Sequence, residues 1–212
     1  ANTYGTVPGA GDAPLASGIG APIRLDGAVV ETNGGNVRFY GQSDAANGRA
    51  IGHAPRFGEA TAGIEVTDSR ISTCAADATG CSDGSGSISL RGQGQTQAAS
   101  GFFSASAGVV LASAELLTGA GRIDVDGVGG LMALGVDVRP SDSLGSFALA
   151  PAPSSRSRIV SGSGDIALRG STRGWNAATD PLGTFAFDAQ GGGVSVQSAD
   201  IATGGNVAID GK

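Results

Sequence analysis

Apolar and polar residues alternate along this chain in three short pulses that recur in a fixed order. The first is a glycine-led V-x-V pulse, seen at Ile23/Leu25, Ile64/Val66, Val109/Leu111 and Val194/Val196. Seven residues after each comes a second apolar residue, at Val30, Ile71, Leu116 and Ile201. The third has the form G-x-I-x-L-x-G and spans 35–41, 86–92, 121–127, 164–170 and 205–211, led by Val37, Ile88, Ile123, Ile166 and Val207. A period of two puts one side chain inward and the next outward, as a half-buried strand requires. The flanking Gly and Asn residues tolerate the positive φ of tight bends. Three pulses make one coil, and the pattern predicts an all-β solenoid of about five coils.

Two coils break the rhythm. In the fourth, the first pulse is either 135–138, leaving 139–157 as a Pro- and Ser-rich insertion before Ile159, or Phe147 and Leu149. Ile159 precedes Ile166 by seven, as Val30 precedes Val37 and Leu116 precedes Ile123. In the second coil, the step from Ile71 to Ile88 is 17, and the excess is an insertion near 74–84. Variable stretches at 42–62, 93–107, 128–134 and 171–192 separate each third pulse from the next first pulse and are expected to emerge from one edge of the stack. Residues 1–18 read as an irregular lead-in and 19–212 as a single solenoid segment.

Stacked coils place equivalent outward residues about 4.8 Å apart, so opposite charges should alternate. The last outward residue of the third pulse reads Tyr40, Arg91, Asp126, Arg169, Asp210, and Arg122 is expected to face Asp165. Each such exposed pair contributes about 0.2–1 kcal/mol, so the ladder matters mainly as evidence of register.

Composition alone would place the chain near the disordered boundary, because Leu, Ile, Val and Phe supply only 45 of 212 residues and Gly supplies 38. Their ordering into pulses allows a narrow stacked core instead. No stretch approaches the roughly 18–20 apolar residues that span a bilayer, and no charged, apolar leader is seen, so the chain reads as soluble. It starts at Ala1 and stops just after a third pulse, as expected of a segment of a longer array. A net charge of −6 argues against nucleic acid and anionic membrane as partners. Cys74 and Cys81 enclose a Gly/Asp-rich loop with no nearby His, which argues for a disulfide rather than a metal site, and hence for an extracellular or periplasmic home.

The units 200–211 (DIATGGNVAIDG) and 157–170 (SRIVSGSGDIALRG) resemble the I-x-T/S-G-x-G-x-I-x-L-x-G repeats of filamentous-haemagglutinin-like exoproteins, exported by two-partner secretion or as autotransporter passengers. The resemblance covers about five repeats. It implies a right-handed parallel β-helix and a secreted or surface-displayed rod. It also implies roles in adhesion, biofilm formation or effector delivery, with a host or neighbouring-cell glycan or protein, or further copies of the fibre, as partner. It carries over no catalytic residue and no cofactor.

Candidate chemistry is sparse. Asp124 and Asp126 lie at i and i+2 on one strand face, with Asp137 a candidate on the next strand, and paired carboxylates can serve glycoside hydrolysis. The same positions read as solvated strand face, and the chain is not expected to be an enzyme. His53, the sole histidine, reads as a loop residue. Segments 119–126 and 162–166 faintly resemble calcium-binding nonapeptides but lack tandem copies, so calcium would be at most a structural ion. The ligand-contacting candidates are loop residues: Trp175 with Arg173 and Asn176, Phe102 with Phe103, and Phe57, whose rings can stack on sugars or fold back as caps. The expected function is an adhesive and structural rod; the alternatives are a self-assembling filament and a polysaccharide-cleaving β-helix.

Overall fold

The computed structural model describes residues 2–3, 23–42, 62–74, 81, 86–94, 107–131, 133–141, 156–173 and 193–212. Their strands, in chain order, are β1 (Asn2–Thr3), β2 (Ile23–Asp26), β3 (Val29–Glu31), β4 (Val37–Gln42), β5 (Ile64–Thr67), β6 (Arg70–Ser72), β7 (Ile88–Gln93) and β8 (Val109–Ala112). They continue with β9 (Glu115–Thr118), β10 (Ile123–Leu131), β11 (Val136–Arg139), β12 (Ser157–Ser161), β13 (Ile166–Arg173), β14 (Val194–Val196), β15 (Ala199–Thr203) and β16 (Val207–Gly211). Among the described residues there is no helix.

These strands build three parallel sheets, each taking one strand per coil. Sheet A runs β2-β5-β8-β11-β14, sheet B runs β3-β6-β9-β12-β15, and sheet C runs β4-β7-β10-β13-β16. The fold is a parallel β-helix of five rungs. Ile88, Ile123 and Ile166 stand in one register column, continued by Val37 below and Val207 above. Val30, Ile71, Leu116, Ile159 and Ile201 form the second column. In the first, Val136 pairs with both Val109 and Val194, so β11 is the fourth coil's first pulse and the insertion follows Arg139. Phe147 and Leu149, the other reading of that coil, lie outside the described residues. Within the lead-in read as irregular, β1 pairs antiparallel with β2 and so adds an edge strand to sheet A.

The core is a file of side chains along the coil axis. Ile64, Ile71, Ile88, Leu90, Leu116, Ile123, Ile159, Ile166 and Leu168 are wholly buried, and burying each such side chain contributes about 1.5–3 kcal/mol.

Each corner has its own device. The turn from sheet A to sheet B rests on one left-handed residue, Gly27, Asp68, Ser113 or Ser198, at φ of 58, 45, 48 and 48°. That one-residue corner explains the seven-residue interval on the first, second, third and fifth rungs, while the fourth carries its insertion between Arg139 and Ser157. The turn from B to C is held by a hydroxyl on every rung: Thr32, Thr73, Thr118, Ser161 and Thr203 donate to the carbonyls of Gly35, Gly86, Gly121, Gly121 and Gly164 respectively. Ser69 and Ser157 bridge rungs at the A-to-B side, accepting the backbone N–H groups of Ala28 and Ala114. Where two rungs bring backbone polar groups inside, side-chain oxygens satisfy them.

Candidate functional site

The third corner, from sheet C back to sheet A, is built from glycine. Gly41, Gly92, Gly127, Gly170 and Gly211 close the third pulses and stand in one register column. Gly63, Gly108, Gly135 and Gly193 open the first pulses of the next strands in sheet A. A Cβ added to Gly41, Gly92, Gly127 or Gly170 would land on the backbone carbonyl of Gly63, Gly108, Gly135 or Gly193 respectively. Outgoing and incoming chain therefore meet backbone to backbone, an approach that only glycine permits. The incoming carbonyls are not idle: those of Gly108, Gly135 and Gly193 accept from the N–H groups of Ile64, Val109 and Val136 on the preceding rung.

Of the variable stretches expected at this corner, 128–131 and 171–173 continue sheet C as paired strand past the third-pulse glycines, and 43–61, 95–106 and 174–192 lie outside the described residues. Once a neck is fixed by rung stacking, lengthening the loop costs little, roughly 0.6 kcal/mol per doubling. The corner can hold loops of very different length without disturbing the coil beneath.

On the third and fourth rungs, beside the necks, outward-facing residues of sheet A are buried although their side chains point away from the coil axis. Val110, Ala112 and Asp137 are only 3, 5 and 9% exposed, and Val110 and Ala112 cluster with Ala62 and Ala107, the residues just before the entering glycines. Burial holds the Asp137 carboxyl above the ordinary carboxylate range, and the positive charge of Arg139 opposes it. The Arg139 Nε lies 3.5 Å from Asp137.

The outer faces of sheets B and C are open and neutralise their own charges. On sheet C, Arg91 sits 3.6 Å from Asp126, and Arg169 Nη1 sits 3.3 Å from both Asp126 and Asp124. Those hydrogen bonds to Asp126 and Asp124 hold the Arg169 guanidinium still more firmly protonated. Asp210 is in register with Arg169, but the Nη1 contacts of Arg169 turn to the rung on its other side. Arg122 does not bond to Asp165; its Nη2 reaches Asp124 on its own strand at 2.9 Å. Asp165 instead accepts the backbone N–H and side-chain amide of Asn206 at 2.9 and 3.0 Å, which hold its carboxyl below the ordinary range.

Sheet B carries a second ladder. Val29, Arg70, Glu115, Arg158 and Asp200 form one register column. Glu115 pairs with Arg70 at 3.6 Å and with Arg158 on the other side, and Asp200 takes Arg156 at 3.2 Å. The signal was present in the sequence one residue before each second-pulse residue.

Of the residues singled out from sequence, Trp175, Asn176, Phe102, Phe103, Phe57 and His53 lie outside the described residues. Arg173 closes β13, its backbone in register with Leu131. Cys74 and Cys81 form a disulfide, with Cα atoms 4.9 Å apart, at the B-to-C corner of the second coil. Asp124 and Asp126 are engaged by guanidinium groups, and Asp137 stands on a different sheet between Val110 and Ser195, so the three carboxylates do not converge. Among the described residues no group of three or more His, Cys, Asp or Glu side chains gathers around a cation-sized space.

No protein-family model, curated protein or solved structure matches this chain. The functional reading rests on the molecule itself. What its geometry offers is a five-rung stack with ion pairs along two faces and a glycine corner between sheets C and A.

Proposed function

We propose that this chain is a structural and adhesive β-helix segment of a large bacterial surface or secreted adhesin, acting as a rod that presents corner loops for attachment. The observation that carries this reading is the column of glycine necks. It fixes where sheets C and A meet on successive rungs while the connecting sequences differ in length, which suits a display scaffold. Binding residues concentrate on loops held by rigid frames. The polar faces of sheets B and C, along which arginines and acids pair between rungs, suit a solvated shaft. The Cys74–Cys81 disulfide is consistent with an oxidising, extracellular setting.

The partner in this reading is a glycan or protein on a host or neighbouring cell. A glycan and host-protein array, read with the native chain, with Trp175→Ala and with residues 95–106 replaced by a short Gly-Ser linker, tests it. The expected result is specific capture that the loop variants lose while their far-ultraviolet dichroism stays that of the native β-helix. Capture that survives replacement of every corner loop, or no capture from either array, overturns the reading.

A further inference from the structure

The outward face of sheet C changes character along the stack. On its third and fourth rungs, Asp124 takes Arg122 at 2.9 Å, and Asp124 and Asp126 both take Arg169 at 3.3 Å. On its first and second rungs, the outward positions are Arg38, Tyr40 and Gln42, in register with Ser89, Arg91 and Gln93. They include two arginines and no acid, in a chain whose net charge is −6.

Strand parity turns these side chains outward. Along β4 and β7, Val37, Ile88 and Leu90 fill the core, and the residues that alternate with them face away from it. Tyr40 is 65% exposed, and the side chain of Arg91, one rung further along, is 68% exposed. The Tyr40 hydroxyl donates to Gln42 Oε1 at 3.0 Å, which ties the far end of the ring to its own strand. Arg38 makes no ion pair or hydrogen bond among the described residues. Arg91 meets Asp126 through Nε at 3.6 Å, beyond hydrogen-bond reach, whereas Arg169 holds the same carboxylate at 3.3 Å. The planar forks of Arg38 and Arg91 are thus left to water beside an exposed ring. Across the rungs the backbone of Arg91 lies about 4.8 Å from that of Tyr40, and along the strand Arg38 lies about 7 Å from it, all on one sheet face.

We propose that this face is a binding site for a carboxylated glycan, a chain of uronic-acid sugars, with Tyr40 stacking on a sugar ring and Arg38 and Arg91 taking carboxylates. An aromatic ring supplies rigid apolar contact area for the C–H face of a sugar. A guanidinium donates two parallel hydrogen bonds to a carboxylate, a match that a neutral sugar does not offer. The lack of acids on these two rungs gives the face the sign that a polyanion requires. The site lies on the sheet, apart from the corner loops, and its inference stands or falls without them.

Calorimetric titration of the full chain with a galacturonate oligomer tests it, beside the methyl ester of that oligomer and an uncharged dextran of similar length. The expected result is binding of the free acid that weakens with salt, and none of the ester or the dextran. Tyr40→Ala should weaken binding by about tenfold. Arg38→Gln, which breaks no contact found among the described residues, should also weaken it by about tenfold through loss of a charged donor. Arg158→Gln, which removes the same charge from sheet B, should leave binding unchanged. Far-ultraviolet dichroism checks that each variant keeps the β-helix. No binding of the free acid, equal binding of the ester or the dextran, native affinity in Tyr40→Ala or Arg38→Gln, or a loss in Arg158→Gln as large as that in Arg38→Gln would overturn the proposal.

Discussion

Thr118 and Ser161, in register on neighbouring rungs, aim their hydroxyls at one atom: the Gly121 carbonyl accepts from Thr118 Oγ1 at 2.6 Å and from Ser161 Oγ at 2.9 Å. Thr118 is wholly buried and Ser161 is 2% exposed. The corner is thus held within a rung by one hydroxyl and between rungs by the other. Thr118→Val keeps the shape and removes one donor, and should lower stability by about 1 kcal/mol because Ser161 still serves the carbonyl. Adding Ser161→Ala leaves that carbonyl unserved by either, and the double variant should lose more than the sum of the singles, by about 1 kcal/mol of coupling. Denaturant midpoints for the four proteins decide it; strict additivity would mean that the two hydroxyls act separately.

Gly127 is the sharpest test of the necks. An added methyl would meet the Gly135 carbonyl and the Val136 side chain, with backbone on one side and core on the other. Gly127→Ala should therefore cost about 1–3 kcal/mol by overpacking. The exposed Gly35→Ala, whose Cβ meets the Thr32 side chain at ordinary van der Waals distance, should cost far less. Thermal melts of both variants compare them directly.

Much of this fold is legible in the sequence, and the parts that are not share a reason. The register of Ile88, Ile123 and Ile166 follows from the repeated G-x-I-x-L-x-G pulse, which realigns each coil after stretches of different length. The sheet B ladder of Arg70, Glu115, Arg158 and Asp200 obeys the same repeat and needed only the neighbouring position to be read. The necks are harder, since Gly92 and Gly108 lie far apart along the chain and meet only when sheets C and A close. Arg122 could not be assigned by register alone: it faces Asp165, but Asn206 takes that carboxylate first. Asp137 is buried on an outward-facing position of β11, which periodicity does not encode.

Glu115 joins Arg70 below and Arg158 above. Because all three side chains are partly exposed, Glu115→Gln should cost no more than about 1 kcal/mol, and most of that should vanish in molar salt. Chemical denaturation at low and high ionic strength measures the difference. A loss that salt leaves unchanged would assign Glu115 a packing role instead.

Asp137 supplies a pH signature. Its raised carboxyl keeps its proton in the folded state after the unfolded chain has released it. Stability from this group is therefore lost as pH climbs from the ordinary carboxylate range to the folded value, and then levels off. Asp137→Asn should be more stable than the native chain at neutral pH and equal to it in acid. Asp165 works in the opposite sense: its lowered carboxyl stabilises above the ordinary range, and that contribution disappears as pH falls through the folded value. Thermal midpoints across acid to neutral pH, for native, Asp137→Asn and Asp165→Asn chains, separate the two.

The central claim is that five rungs lie one above another in register. Nitroxide labels at Tyr40 and Asp210, outward residues of one column on the first and fifth rungs, measure this by electron double resonance. Four steps of about 4.8 Å predict a single narrow distance whose backbone component is roughly 19 Å. A broad distribution, or a backbone separation beyond about twice that value, would contradict the stack and everything derived from it.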